Sequence, residues 1–238
     1  MKTLGLDGCL SGWIAISVDE NGAGYWLLES DEEFKQAVEE YDRIFINVPI
    51  GLEDDSHVRR CDQLLRKRLG PDYRESVVNP PIRPALHAPT YGEASMVSYE
   101  ATNKKISIKA WNIAPNIQLV DDLLQKHQSF RDKIFESHPE LLFQILNGGT
   151  SILQKKATKK GIRHRLGLLK DESKYADDFF RDIKEEYRRN QVDEDDILDA
   201  MVLAVFARYS TNEKKKIKTI PDDPPSDSTG LPMAIHYI

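Results

Sequence analysis

The first thirty residues alternate short apolar runs with turn-forming residues. Gly8 and Gly12 lie in the first turn, and a second turn is expected at Asn21-Gly22. Short strands joined by tight turns form antiparallel meanders. The pattern therefore predicts three consecutive strands, at residues 3–6, 13–16 and 24–28.

The chain then changes to a helical period and returns to a strand. Residues 32–41 place apolar side chains at helical spacing, with Asp31 as the expected N-cap. Residues 43–50 are apolar almost throughout, which is typical of a central strand buried on both faces. A helix that leads into a buried strand implies a crossover within one sheet. The sequence thus predicts an α/β protein with a mixed sheet.

The remainder of the chain predicts mainly helices. Asp55 or Ser56 is expected to cap a helix that ends at Gly70, and the proline-rich residues 76–91 are expected to form an ordered loop. A strand that begins at Phe135 should lead into a helix with Pro139 in its first turn. Further helices are expected at residues 93–105, 111–128, 173–190 and 193–207, and a short strand at residues 233–238.

Composition narrows the class of protein. The chain has 238 residues, of which 40% are hydrophobic and 30% charged, as in ordinary globular proteins. Its net charge of −6 argues against broad coating of nucleic acid. Cys9 and Cys61 form no metal-binding spacing and fit a reduced interior. With no apolar run long enough for a signal peptide or a membrane span, we expect a cytoplasmic protein that does not enter membranes.

Asp7 is the first candidate for chemistry. It stands where the first predicted strand ends, beside the glycines of the turn. A carboxylate there can face a metal ion or a phosphate. It can equally do no more than begin a β-turn, as aspartate often does. Both interpretations stay open on this stretch alone.

A second group of carboxylates opens the late helix. Asp196 and Asp199 are three residues apart and share a helix face, as do Asp195 and Asp199 at four. Capping of the helix explains the carboxylates from Asp193 to Asp196. It explains Asp199 poorly, because a carboxylate within an apolar helix needs a partner or a metal ion. Asp7, Asp196 and Asp199 are therefore expected to converge on Mg²⁺ or Mn²⁺, which take oxygen ligands.

The order of these elements and a set of motifs resemble a bacterial and archaeal family of unknown function whose members are predicted to be RNase H-like nucleases. The resemblance implies one RNase H-like domain over residues 1–238, with a mixed five-stranded sheet flanked by helices and a helical, proline-rich insertion at about residues 52–110. It also implies metal-dependent cleavage of nucleic acid, with DNA and RNA undecided. The motifs, in chain order, are L-D-G-C-L-S-G-W at 6–13, V-P-I-G-L at 48–52, N-P-P-I-R-P-A-L at 79–86, K-A-W-N-I-A-P-N-I at 109–117, E-S-H-P-E at 136–140, K-K-A-T-K-K-G at 155–161 and D-D-I-L-D-A at 195–200.

The resemblance also assigns residues. It places Asp7, Glu136, Asp196 and Asp199 at the catalytic acidic positions, and these would also bind the metal. Asn47 is a departure, because the family usually has an aspartate there, before x-P-I-G-L. An amide still offers a carbonyl oxygen to a metal ion but brings no negative charge. The buried strand is expected to place Asn47 beside Asp7.

Three further residues are candidates for contact with a substrate phosphate, namely Arg83, His138 and Lys156. Arg83 lies in the proline-rich loop, and Lys156 in the basic run at residues 154–165, which is otherwise explained as a solvated helix face. His138 precedes a proline, where a histidine is more often hydrogen-bonded structure.

Two other functions fit the same sequence. A non-catalytic protein that binds nucleic acid or protein would retain the fold with an impaired metal site, and Asn47 favours it. A phosphate- or ATP-binding protein related to sugar kinases would also begin with a strand, an Asp-Gly turn and a strand. Such proteins normally enclose ATP between two domains, and no second glycine-rich turn is present.

Overall fold

The computed structural model describes residues 1–19, 22–56 and 58–238. The first half of the turn predicted at Asn21-Gly22 lies outside these residues. In the part of the chain that is described, no helix combines the length and the apolar composition needed to cross a membrane.

Five strands form one mixed sheet, in the order β3-β2-β1-β4-β5. The first three pair antiparallel, whereas β1 with β4 and β4 with β5 pair parallel. The predicted meander and the central position of the strand that follows it are confirmed. This order is consistent with an RNase H-like topology. The strands are Thr3–Cys9 (β1), Gly12–Asp19 (β2), Gly22–Leu28 (β3), Arg43–Ile46 (β4) and Ile134–Glu136 (β5).

Helices and a small second sheet account for most of the other regular structure among the described residues. The helices are Asp31–Glu40 (α1), Arg60–Leu69 (α2), Arg83–Leu86 (α3), Tyr91–Thr102 (α4), Ile108–Lys126 (α5), Pro139–Leu146 (α6), Lys159–Glu172 (α7), Ala176–Glu186 (α8) and Glu194–Tyr209 (α9). The second sheet pairs Lys218–Ile220 (β6) with Ile235–Tyr237 (β7).

Several predicted boundaries were wrong for identifiable reasons. The N-cap of α1 is Ser30 rather than Asp31, because Ser30 and Glu33 form a reciprocal capping box. Strand β4 ends at Ile46, four residues early, since Pro49 has no N–H to continue the ladder. Helix α2 begins at Arg60, well after the cap predicted at Asp55 or Ser56.

The described chain divides into two compact units. The first contains the five-stranded sheet and comprises Met1–Asn47, Lys133–Lys218 and Tyr237–Ile238. The second comprises Val48–Asp132 and Thr219–His236 and contains α2 to α5. In the second unit, the buried side chain of Arg59 pairs with Asp62 and donates to the carbonyls of Ile50 and Gly51.

Helix α9 sets the geometry of the first unit. It is buried from Ile197 to Ala207 and packs on β1. A Cβ atom on Gly5 would lie 2.2 Å from the nitrogen of Ala204 and 2.4 Å from the carbonyl oxygen of Ala200, so only glycine allows this approach. The helix backbone therefore rests directly on the strand. Its amino-terminal turns extend toward the carboxyl end of β1.

Candidate active site

Asp7 and Asp199 approach each other where β1 ends and α9 begins. Asp7 is two residues beyond Gly5, so its side chain leaves the sheet on the same face, toward α9. Asp199 directly precedes Ala200 on that helix. Both aspartates are almost fully buried, with 4% and 3% of their surfaces exposed. A strand end and a helix start thus bring two carboxylates into one buried cluster, and the cation that they are expected to share stays a prediction.

Asn47 joins this cluster from the neighbouring strand. It follows β4, and its Nδ2 donates a hydrogen bond of 2.7 Å to Oδ1 of Asp7. The expected proximity of the two residues is therefore confirmed. The amide presents its N–H to Asp7, and it acts as a donor in this arrangement. Metal coordination through its carbonyl oxygen stays a prediction.

Asp196 belongs to the cluster and also caps the start of α9. Its Oδ2 accepts a 3.0 Å hydrogen bond from the backbone N–H of Asp193, which completes a capping box at the start of α9. The capping explanation therefore holds for Asp193 and Asp196. It does not extend to Asp199, which lies beyond the first turn among apolar residues.

Burial and mutual repulsion disfavour ionisation of all three carboxyl groups. Burial raises the pKa of Asp7 well above its ordinary value, and the charges of Asp199 and Asp196 raise it further. Burial likewise raises the pKa of Asp196 to about 7, against the opposing hydrogen bond from Asp193. It also raises the pKa of Asp199, although a nearby ammonium group opposes the shift.

That ammonium group belongs to Lys156. Its Nζ lies 2.9 Å from Oδ2 of Asp199 and 3.0 Å from Oδ2 of Asp195. The attraction of Asp199 raises the pKa of Lys156, so the lysine is firmly cationic. The sequence predicted Lys156 as a contact to a substrate phosphate. The structure places it on two carboxylates of α9.

Close packing holds the loop that carries Lys156 in place. Thr158 caps α7 by accepting from the N–H of Gly161. A Cβ atom on Gly161 would lie 2.1 Å from the carbonyl oxygen of Lys155, so the loop rests against the first turn of α7. This packing limits where the side chain of Lys156 can reach.

A buried ion pair anchors the same loop from inside. Arg165 has no exposed surface, and its Nη2 lies 2.8 Å from both carboxylate oxygens of Glu140. Its Nη1 donates to the carbonyl oxygen of Gln154, at the start of the loop. Neither this pair nor the contact of Asp195 with Lys156 was predicted from the sequence. The four-residue spacing of Asp195 and Asp199 was the available signal for the second.

Glu136 and His138 lie nearby in sequence but are placed differently. Glu136 is in register with Ile46, which is in register with Leu6. Because side chains alternate along a strand, this register sends Glu136 to the sheet face opposite Asp7. His138 occupies the N-cap position of α6 and makes no side-chain cap hydrogen bond. The proposed roles of both residues stay predictions.

Arg83 lies in the second unit and has its own partners there. Its guanidinium pairs with Asp121 and Asp227, and its Nε lies 3.9 Å from Oδ1 of Asp54. Asp227 also accepts from the backbone N–H of Leu52. These contacts explain Arg83 as part of a structural cluster. Contact with a phosphate stays a prediction for this residue.

Comparison with known protein families shows to which family the chain is related. The family described as "Protein of unknown function (DUF429)" matches residues 5–226. The chain belongs to this family. No match to this chain was found among the curated proteins or among the solved structures. The matched span of this DUF429 protein includes the candidate site residues predicted from the sequence, from Asp7 to Asp199, but the family description names no activity.

The carboxylate oxygens of Asp7 and Asp199 are the type of ligand that a hard cation takes. They do not form a complete set of metal ligands in this arrangement. Among the described residues, no group of three or more His, Cys, Asp and Glu side chains is arranged to hold a metal ion. However, Oδ1 of Asp199 is buried without a hydrogen-bond partner. A buried carboxylate oxygen without a partner is costly unless a cation or a donor reaches it. The chemistry therefore fits Mg²⁺ or Mn²⁺, while Lys156 supplies the positive charge in the present arrangement.

Proposed function

We propose that this DUF429 protein is a divalent-metal-dependent phosphodiester hydrolase that acts on nucleic acid. The observation that carries the proposal is the buried cluster of Asp7 and Asp199, in which Oδ1 of Asp199 has no partner. Carboxylates at a strand end and a helix start, on an RNase H-like sheet, supply the oxygen ligands that such an enzyme needs. Its two cysteines are in the thiol form, and we place the protein in the cytoplasm.

Each residue of the cluster has a defined part in this proposal. Asp7 and Asp199 would bind Mg²⁺ or Mn²⁺, and Asp196 would add a third carboxylate. A bound ion of this kind activates water and neutralises charge on a phosphodiester. Asn47 orients the carboxylate of Asp7 through its hydrogen bond. Glu136, whose register directs it to the other face of the sheet, stays a ligand predicted by the resemblance and does not carry this proposal.

A non-catalytic nucleic-acid-binding protein is the second candidate. The observation in its favour is Lys156, whose ammonium already neutralises Asp199 and Asp195. With Asn47 in place of a carboxylate, the site also holds one negative charge fewer than the family usually has. In this case the cluster would stabilise the fold and bind no metal ion.

Cleavage assays distinguish the two candidates. Labelled single- and double-stranded DNA and RNA would be incubated with the protein in Mn²⁺, in Mg²⁺ and in chelator. We expect cleavage only with metal, and its loss in Asp7→Asn and Asp199→Asn. Asp31→Asn is the matched control, because Asp31 is an exposed carboxylate in the first turn of another helix. A protein that cleaves none of these substrates with either metal would contradict the hydrolase proposal.

A further inference from the structure

A basic cavity in the second unit has no part in the site described above. It has a volume of about 560 Å³ and is lined by five cationic side chains and one acidic one. Small-molecule and cofactor sites have volumes of this order. The charged lining residues are Arg66, Arg74, Lys104, Lys105, Lys109 and Glu75.

The positive charge in this cavity contrasts with the net negative charge of the protein. The protein as a whole has a net charge of −6, with 39 acidic residues to neutralise 33 basic ones. Yet within the described ranges, Lys104, Lys105 and Lys109 form no ion pair with a carboxylate, and all three are exposed. Arg74 pairs with the adjacent Glu75. Grouped like charges repel one another, and an anionic ligand would relieve that repulsion.

Hydrogen bonds hold the backbone that carries the lysines. Asn103 adopts the left-handed conformation that ends α4, and the hydroxyls of Ser98 and Thr102 donate to the carbonyl oxygen of Lys104. Ser107 then caps α5 by accepting from the N–H of Ala110. Lysines on a fixed segment lose less freedom when they bind a ligand than lysines on a mobile loop.

Arg66 also lines the cavity. Its guanidinium donates to the carbonyl oxygen of Val77 and to the side chain of Asn79. These hydrogen bonds hold the lining residues in place, so we do not count Arg66 among the groups that bind the ligand. Apolar side chains of Val77, Pro80 and Ile106 contribute to the lining beside the cations. The cavity therefore offers positive charge for phosphates together with apolar surface for a sugar or a base.

The first turn of α5 adds to the attraction for anions. Ser107 Oγ accepts a hydrogen bond from the N–H of Ala110. The N–H groups of Ile108 and Lys109, in the same first turn, have no intrahelical acceptor. Such groups, with the positive end of the helix dipole, favour phosphate. Here they reinforce a cavity whose charge comes from the lysine side chains.

We infer that this basic cavity binds phosphate groups of a single-stranded nucleic acid, through Lys104, Lys105 and Lys109. The choice of nucleic acid rather than a small phosphorylated compound rests on the proposed function. The cavity itself does not depend on the acidic cluster, since all its lining residues belong to the second unit.

Binding measured in chelator tests this inference apart from metal-dependent cleavage. Fluorescence anisotropy would follow a short labelled single-stranded oligonucleotide, as DNA and as RNA, across a range of salt concentrations. For the variant Lys105→Ala/Lys109→Ala we expect a roughly tenfold loss of affinity and a salt slope shallower by about 1.4, at about 0.7 per lost phosphate contact. The matched control is Lys214→Ala/Lys216→Ala, which removes two exposed lysines that do not line the cavity.

Two results would overturn the inference. One is equal affinity and salt slope in the cavity variant and in the control variant. The other is tight binding of inorganic tripolyphosphate at the cavity, lost in the cavity variant, with no binding of either oligonucleotide. That result would assign the cavity to a small polyphosphate. Because no metal is present in the assay, failure of the hydrolase proposal would leave the expected loss of binding unchanged.

Discussion

At the scale of single residues, the charges around Asp199 determine how strongly its carboxylate can bind a cation. Asp199 is buried, and one of its oxygens faces Lys156 while the other has no partner. An ammonium group and a divalent cation compete for the same carboxylate, because both gain from its negative charge. In the absence of a metal ion, the positive charge of Lys156 therefore reduces the repulsion among the buried carboxylates.

Replacement of Lys156 by methionine should tighten the binding of Mn²⁺. The apolar side chain keeps most of the volume and removes the competing charge, so we expect the Kd for Mn²⁺ to fall by about tenfold or more. Isothermal titration calorimetry measures this directly. Lys155→Met is the control, since Lys155 is an exposed neighbour of equal charge. Unchanged or weaker binding in Lys156→Met would show that the lysine does not compete with a metal ion.

Asn47→Asp should restore a missing ligand at a cost to the metal-free protein. The new carboxylate replaces a donor that lies 2.7 Å from Asp7 and would repel it, which lowers the free energy of unfolding by about 1–3 kcal/mol in chelator. The same charge should tighten Mn²⁺ binding and raise any cleavage rate. Thermal melts with and without Mn²⁺, together with titrations, measure both effects. Equal Mn²⁺ affinity in parent and variant would place Asn47 outside the metal site.

At the scale of elements, the site depends on how α9 rests on β1. The sequence was sufficient to predict the meander, the central strand and the acidic start of the late helix, because apolar periodicity and capping residues are local signals. It did not reveal where Lys156 points, since that contact spans 43 residues and depends on loop packing at Gly161. The cap at Ser30 was visible in the spacing of Ser30 and Glu33 and was missed.

Gly5→Ala should disturb both stability and the site. The added Cβ atom would lie 2.2 Å from the backbone of α9, so the helix must shift away from β1 and carry Asp199 with it. We expect a loss of about 1–3 kcal/mol in unfolding free energy and weaker Mn²⁺ binding. Gly167→Ala is the control, because a Cβ atom there meets open space. A Gly5→Ala variant with parental stability and Mn²⁺ affinity would refute this view of the α9–β1 contact.

At the scale of the whole molecule, a buried acidic cluster makes stability depend on pH. A carboxyl group whose pKa is raised by folding binds its proton more tightly in the native state than in the unfolded state. Its stabilising contribution is therefore complete below the unfolded pKa and is lost as the pH rises through the folded pKa. For Asp196 that window runs from its ordinary value of 3.8 to about 7.

Thermal melts in chelator should accordingly show a melting temperature that falls as the pH rises through this window. Asp196→Asn should flatten the dependence, because the amide cannot ionise but can still accept the hydrogen bond from Asp193. Saturating Mn²⁺ should also flatten or reverse it, since a bound cation favours the ionised carboxylates. A parent and an Asp196→Asn variant with identical pH profiles would contradict the assigned role of Asp196.

The most direct test of the proposed metal site is a titration of Mn²⁺ into the parent protein, Asp7→Asn and Asp31→Asn. Electron paramagnetic resonance of the free ion follows the binding. Asp7 is buried in the cluster, whereas Asp31 is an exposed carboxylate in the first turn of α1. We predict that the parent and Asp31→Asn take up Mn²⁺ with the same affinity, and that Asp7→Asn binds it at least about tenfold more weakly. Equal uptake by all three proteins, or no uptake by the parent, would contradict a metal site at Asp7 and Asp199.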